Sequence, residues 1–83
     1  MKQEVRFFHC NEHEEVVEIE SYFEENGAII SLKQSAPGHE QPFVPLKAHL
    51  EQEGWQFELA GTTRLGHSPV QLNSYVARRS VTG

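Results

Sequence analysis

Asn11-Glu-His-Glu-Glu-Val-Val-Glu-Ile-Glu-Ser-Tyr-Phe-Glu-Glu-Asn26, with Gly27 after it, is the stretch whose conformation decides the fold. Asn11 suits an N-cap and Glu14 stands three residues on, as in a capping box. Val16, Ile19 and Phe23 fall in a narrow arc at about 100° per residue, with Glu14, Glu18 and Glu25 opposite. Gly27 offers the C′ position where a left-handed backbone is least costly. The stretch therefore predicts a helix over 11–26. Val17 is out of place in that helix, and a strand through Glu15–Ile19 is the competing reading.

Outward from the helix, Glu4–Cys10 is short and rich in strand formers, and Ala28–Gln34 reads as a second strand. Ser35–Pro42 (SAPGHEQP) reads as a loop on its Pro, Gly and Ser content. Pro45 suits the first turn of a second helix carrying Leu46 and Leu50, which Gly54 ends. Trp55–Ala60 alternates, with Trp55, Phe57 and Leu59 on one face. Gly61–Pro69 is a loop or wide hairpin end, Leu72–Arg79 the last strand, and Ser80–Gly83 a frayed tail. The expected fold is α+β: one domain over 1–83, β-α-β-α-β-β, a two-layer sandwich with two helices on one face of a four-stranded sheet.

That arrangement divides the strand residues into two sets. Val5, Phe7, Ile30, Leu32, Trp55, Phe57, Leu59, Leu72 and Val76 point to the helices. Arg6, Phe8, Cys10, Ile29, Ser31, Lys33, Gln56, Glu58, Tyr75, Ala77 and Arg79 point outward. An open face carrying Phe8, Ile29 and Tyr75, with Arg79 at its rim, is a candidate partner-binding surface.

Charge and composition narrow the chemistry. The 83 residues carry 7 Lys+Arg against 12 acids, a net charge of −5, and every acid is Glu. Without Asp, an aspartate nucleophile, an Asp-rich calcium loop and a Ser-His-Asp triad are excluded. The acidic balance argues against a general polyanion binder. Residues 1–27 hold two basic and eight acidic side chains, whereas 59–83 hold Arg64, Arg78 and Arg79 and no acid. The acidic helix suits a basic partner, and the basic hairpin could meet it in a neighbouring copy or touch RNA. Three arginines without an aromatic stacking motif are a weak nucleic-acid signal.

Cys10 is the only cysteine, which precludes an internal disulfide and favours a reducing cytoplasm. No signal peptide is expected, and no run approaches the roughly 20 apolar residues of a membrane span. His9, Cys10 and His13, with Glu12 nearby, are the candidate thiol or metal centre. Zinc wants four ligands, and the Glu-rich surroundings disfavour a thiolate on Cys10. No HExxH, P-loop or GxSxG occurs, so no catalytic residue, metal or cofactor is expected.

Leu46–Leu59, LKAHLEQEGWQFEL, and later Ser74–Arg79, SYVARR, resemble the small bacterial Glu-Gly-Trp domains of unknown function. The resemblance spans residues 28–79, and its sharp element is Glu53-Gly54-Trp55. It implies a compact α+β fold and no catalytic residues, and it does not cover the N-terminal strand or acidic helix. The expectation for function is a non-enzymatic, bacterial-type cytoplasmic domain acting by protein contact, a homo-oligomer formed through the open sheet face. The alternatives are a small enzyme or thiol/metal site at Cys10, His9 and His13, and an RNA contact through Arg64, Arg78 and Arg79.

Overall fold

A computed structural model describes residues 1–64 and 71–81. The described residues form a six-stranded antiparallel sheet with one helix, which overturns the two-helix α+β sandwich. The elements are β1 (Lys2–Cys10), β2 (Glu15–Glu25), β3 (Ala28–Ile29), β4 (Gln34–Pro42), α1 (Phe43–Gln52), β5 (Gln56–Arg64) and β6 (Gln71–Ser80). The order across the sheet is β3-β2-β1-β6-β5, with β4 also paired to β2.

The expected first helix is strand β2, the competing reading extended to eleven residues. Asn11 makes cap-like bonds, but they close a hairpin between β1 and β2. Its Oδ1 accepts from the backbone N–H of His13 at 2.9 Å and of Glu15 at 3.0 Å, with Glu14 at φ 55°. Gly27 is likewise no helix stop. Asn26 and Gly27 stand at φ 54° and 84° between the paired Glu25 and Ala28, forming a two-residue hairpin turn.

The helical periodicity of this stretch has a physical source. The register between β1 and β2 shifts at Val17, so Cys10 faces Val16 while His9 faces Glu18. A bulge changes the parity of side-chain direction. Val16 and Ile19, three apart, consequently pack into the same core cluster. Val17 is the displaced residue, 44% exposed.

Beyond the Asn26-Gly27 turn, the chain returns along the outer edge of β2 in two pieces. β3 covers Glu24 and Glu25, and β4 covers Glu15 to Ser21. Within Ala28–Gln34 only Ala28–Ile29 and Gln34, the first residue of β4, are strand, and the expected loop Ser35–Pro42 is strand instead. Pro and Gly are tolerated here because β4 is an edge strand with a bulge, where ladder donors are dispensable. Gly38, His39 and Glu40 lie opposite Val17 alone, and Gly38 is packed against the Val16 backbone.

Helix α1 begins at Phe43, two residues before Pro45. The Phe43 N–H is satisfied by the Glu14 carbonyl at 2.9 Å. Gly54, at φ 95°, ends the helix as expected, with Trp55 N–H returning to the Leu50 carbonyl at 3.1 Å. Phe43, Leu50 and Trp55 form the core with Phe8, Cys10, Val16 and Ala77, and Phe57 and Tyr75 pack against it.

This core inverts the expected faces of β1 and β6. Phe8, Cys10, Tyr75 and Ala77 lie under the helix, while Val5, Phe7 and Val76 belong to the opposite face. β1 is apolar on both faces, so alternation did not decide between them. β5 was oriented correctly at Phe57, but Leu59 is 59% exposed just before a second register shift. The expected tail is partly ordered: Ser80 is in β6, and Val81 N–H bonds the Lys2 carbonyl at 3.0 Å. Thr82, Gly83 and residues 65–70 of the expected loop lie outside the described residues.

Candidate functional site

The open face of the sheet, opposite α1, gathers side chains from four strands. Phe7 and Tyr22 stack with centroids 6.2 Å apart, and Phe7 and His9 at 6.3 Å. Arg78 bonds Glu58 at 2.7 Å and lies 3.6 Å from Glu24. At the other end of this face, His9 on β1 stands between Glu20 on β2 and Ser74 on β6. Its Nε2 is 2.8 Å from Glu20 Oε1, and its Nδ1 is 2.8 Å from Ser74 Oγ. With a neutral ring, Nε2–H donates to the carboxylate and the Ser74 hydroxyl donates to Nδ1. Glu18 is cross-strand from His9, and Ser35 donates to its carboxylate at 3.2 Å. The three ligand atoms of His9, Glu18 and Glu20 lie within 4.8 Å of one another.

His9 lies in this cluster with Glu18 and Glu20, not with its sequence neighbours Cys10 and His13. Cys10 points to the opposite face and is buried, 2% exposed. Burial, and then the Glu14 carboxylate, push its thiol up to about 11, so a thiolate nucleophile is disfavoured. His13 sits exposed in the hairpin turn with Glu12 at 3.5 Å. The alternative thiol or metal centre of His9, Cys10 and His13 is not assembled. The expected helix has Glu18 on its polar side and gives Glu20 no role; their spacing of two is the strand period that places both beside His9.

The four expected partner-binding residues separate as well. Phe8 is buried in the core. Tyr75 stacks on Phe43 at 4.1 Å and donates to Glu14 at 3.0 Å, and Asn73 donates to the same carboxylate at 2.7 Å. Burial, followed by that bond to Glu14, raises the Tyr75 pKa. Arg79 lies over the Trp55 ring at 4.7 Å, as Arg6 does at 4.6 Å, and both arginines reach the Glu4 carboxylate. Only Ile29 remains at a free surface, 51% exposed.

The acidic and basic ends of the chain meet within one molecule. β1 lies between β2 and β6, and Arg78 and Arg79 pair with Glu24, Glu58 and Glu4. That occupies two of the three arginines invoked for RNA, and the Arg64 side chain is outside the described residues. Among the described residues, no helix is long and apolar enough to cross a membrane, which leaves a β-barrel unaddressed.

A second surface lies where the returning chain interrupts its pairing with β2. Between β3 and β4, Ser31 Oγ accepts the Phe23 N–H at 2.8 Å in place of a backbone carbonyl, while Ile30 N–H donates to the Phe23 carbonyl at 2.9 Å. Ile29, Ile30 and Leu32 are 51%, 51% and 88% exposed there. Beside them runs an open groove of about 380 Å³, lined by Arg6, Phe23, Leu32 and Gln34 among others.

No family model, curated protein or solved structure matches this chain. Glu53-Gly54-Trp55 ends helix α1 and supplies a core aromatic.

Proposed function

We propose that this protein acts by protein–protein contact and self-associates through the end of its sheet that carries Ile29, Ile30 and Leu32. The carrying observation is three large aliphatic side chains within four residues, each at least half exposed, at a break in strand pairing. Scattered exposed apolar residues need no explanation, but Ile29, Ile30 and Leu32 are the densest group of exposed large aliphatics along the chain among the described residues.

A second copy is the occupant that the local shape supports. A two-fold interface must be self-complementary, each surface offering both a projection and a recess. Leu32, 88% exposed, is the projection, and the groove whose wall it shares with Phe23, Arg6 and Gln34 is the recess. Burying two leucines in each other's grooves removes apolar area that the monomer leaves in water. This replaces the open-face surface expected from Phe8 and Tyr75 and retains Ile29. The cytoplasm is the proposed compartment, since the single cysteine is a free, buried thiol.

The test is a solution mass measurement by size-exclusion chromatography with light scattering. The wild type should run as a dimer and Leu32→Lys as a folded monomer. A wild type that stays monomeric at high concentration, or a Leu32→Lys variant that remains dimeric, overturns the proposal.

A further inference from the structure

The geometry points to a divalent metal site of the zinc class on the open sheet face, built from His9 Nε2 and one carboxylate oxygen each of Glu18 and Glu20. The site is remote in function from self-association and stands on different residues.

Three features carry it. The first is the donor set: one imidazole and two carboxylates from two adjacent strands converge on one patch of surface. Zinc takes histidine nitrogen and carboxylate oxygen at about 2.0–2.2 Å, and three protein ligands with a water complete a tetrahedron. Neighbouring ligand atoms in that tetrahedron stand about 3.4 Å apart at those bond lengths. Nε2 and Glu20 Oε1 are already at 2.8 Å, and the whole set lies within 4.8 Å. Glu18 is exposed and held by one bond, from Ser35 Oγ at 3.2 Å, which it exchanges for the ion on swinging inward by the remaining distance.

The second feature is charge. Glu18 and Glu20 project from the same face of one strand, two residues apart. Among the described residues neither is within ion-pair distance of a lysine or arginine; His9 is the sole ionic neighbour of Glu20. Arg78, on the same face, is engaged with Glu24 and Glu58. The other glutamates of this sheet that face an arginine are neutralised by it, so this pair is the part of the face with room for a cation.

The third feature is the hydroxyl behind the ring. Metal-ligating histidines hold their second nitrogen on an outer hydrogen-bond partner that sets tautomer and orientation. Ser74 Oγ is 2.8 Å from Nδ1. A hydroxyl both donates and accepts. Without metal, Ser74 donates to Nδ1 and Nε2–H donates to Glu20. With metal, the imidazole proton sits on Nδ1 and is accepted by Ser74, and the Nε2 lone pair turns to the ion. Between the two arrangements the ring proton leaves Nε2 and one is taken up at Nδ1 through solvent, and the Ser74 hydroxyl rotates from donor to acceptor.

The experiment is titration of the full chain with zinc chloride, followed by calorimetry and by native mass spectrometry. The expected result is one ion per chain, with affinity lowered at least tenfold in Glu18→Gln and in Glu20→Gln. Ser74→Ala should weaken binding by about 10–100-fold, and Ser74→Thr should restore it, as an orienting partner requires. The pairs His13–Glu12 and His49–Glu53, at 3.5 and 3.4 Å, are the competing surface sites. The double variant His13→Ala, His49→Ala should therefore bind as the wild type does. In the wild-type protein, the nitrogen resonances of His9 should show Nε2 metal-bound and Nδ1 protonated. Absence of zinc binding overturns the proposal. So does binding that survives both Gln substitutions, or that disappears in the His13, His49 double variant.

Discussion

Gly38→Ala separates a strand at residues 34–42 from a loop, and its cost follows from the contacts. A Cβ at Gly38 would overlap the Val16 carbonyl oxygen and come within 2.6 Å of both the Val16 carbonyl carbon and Cγ1. None of these atoms is the free end of a flexible chain. Val16 is fully buried, and its backbone is paired to Cys10 on one side and Gln41 on the other. Relief therefore requires β4 to move off β2, or the β2 bulge to open. Overpacking against fixed atoms costs about 1–3 kcal/mol, and backbone contact places this case at the upper end. A domain of this size is stable by about 4–12 kcal/mol, so the loss is a large share of the total. With about 4–8 °C per kcal/mol, the midpoint of thermal unfolding should fall by roughly 10–20 °C. Gly61→Ala is the control: a Cβ there meets nothing within 4 Å, and Gly61 has no positive φ. It should be neutral, or stabilising by about 0.5–1 kcal/mol through the unfolded chain. The assay is circular dichroism with temperature, repeated in urea. A Gly38→Ala protein as stable as wild type would refute the β2–β4 packing, and equal losses in the two variants would refute the contact argument.

Other outcomes follow from single contacts. Cys10 has a native pKa of about 11 against 9.0 for an unperturbed thiol, so the folded state holds a proton that the unfolded chain releases. Its contribution to stability is whole below about pH 9 and is lost as pH rises through about 11; Cys10→Ala should flatten the alkaline fall in melting temperature. Tyr22 and Tyr75 are raised too, so some slope must remain, and an unchanged slope would contradict the burial of the thiol. Tyr75→Phe keeps the stack on Phe43 and loses one bond to a carboxylate, which should cost about 1–2 kcal/mol in urea unfolding; no loss would argue against the Glu14 bond. Ser31→Ala removes the acceptor of the Phe23 N–H and should speed hydrogen exchange at Phe23, with Ser31→Thr restoring protection.

Much of the chain's local structure could be read directly. The strands near 4–10, 56–60 and 72–79, the helix ended by Gly54, and the core places of Trp55 and Leu50 all lie where residue type and spacing put them. The reading failed at 11–42, for identifiable reasons. The bulge at Val17 put Val16 and Ile19 on one side of a strand, the same i, i+3 spacing that a helix shows. Two local signals stand against a helix: Val17, out of place on its face, and Asn26-Gly27, a dipeptide that favours tight hairpin turns as well as helix ends. Pro37, Gly38 and Pro42 argued for a loop because an edge strand can hold residues that a central one cannot.

The sequence by itself determined the chemistry available: glutamate without aspartate, a single thiol, and no motif that carries catalysis. It also determined the elements whose signals are local, a capped helix end and short alternating strands. Only the tertiary structure decided which residues meet. The Asn26-Gly27 turn folds β2 back on itself, and a one-residue bulge sets the parity of every side chain beyond it. That parity brings His9 between Glu20 and Ser74 from three separate strands and sends Cys10, one residue on, into the core. Neighbouring residues on a strand face opposite ways, so closeness in sequence could not predict closeness in space.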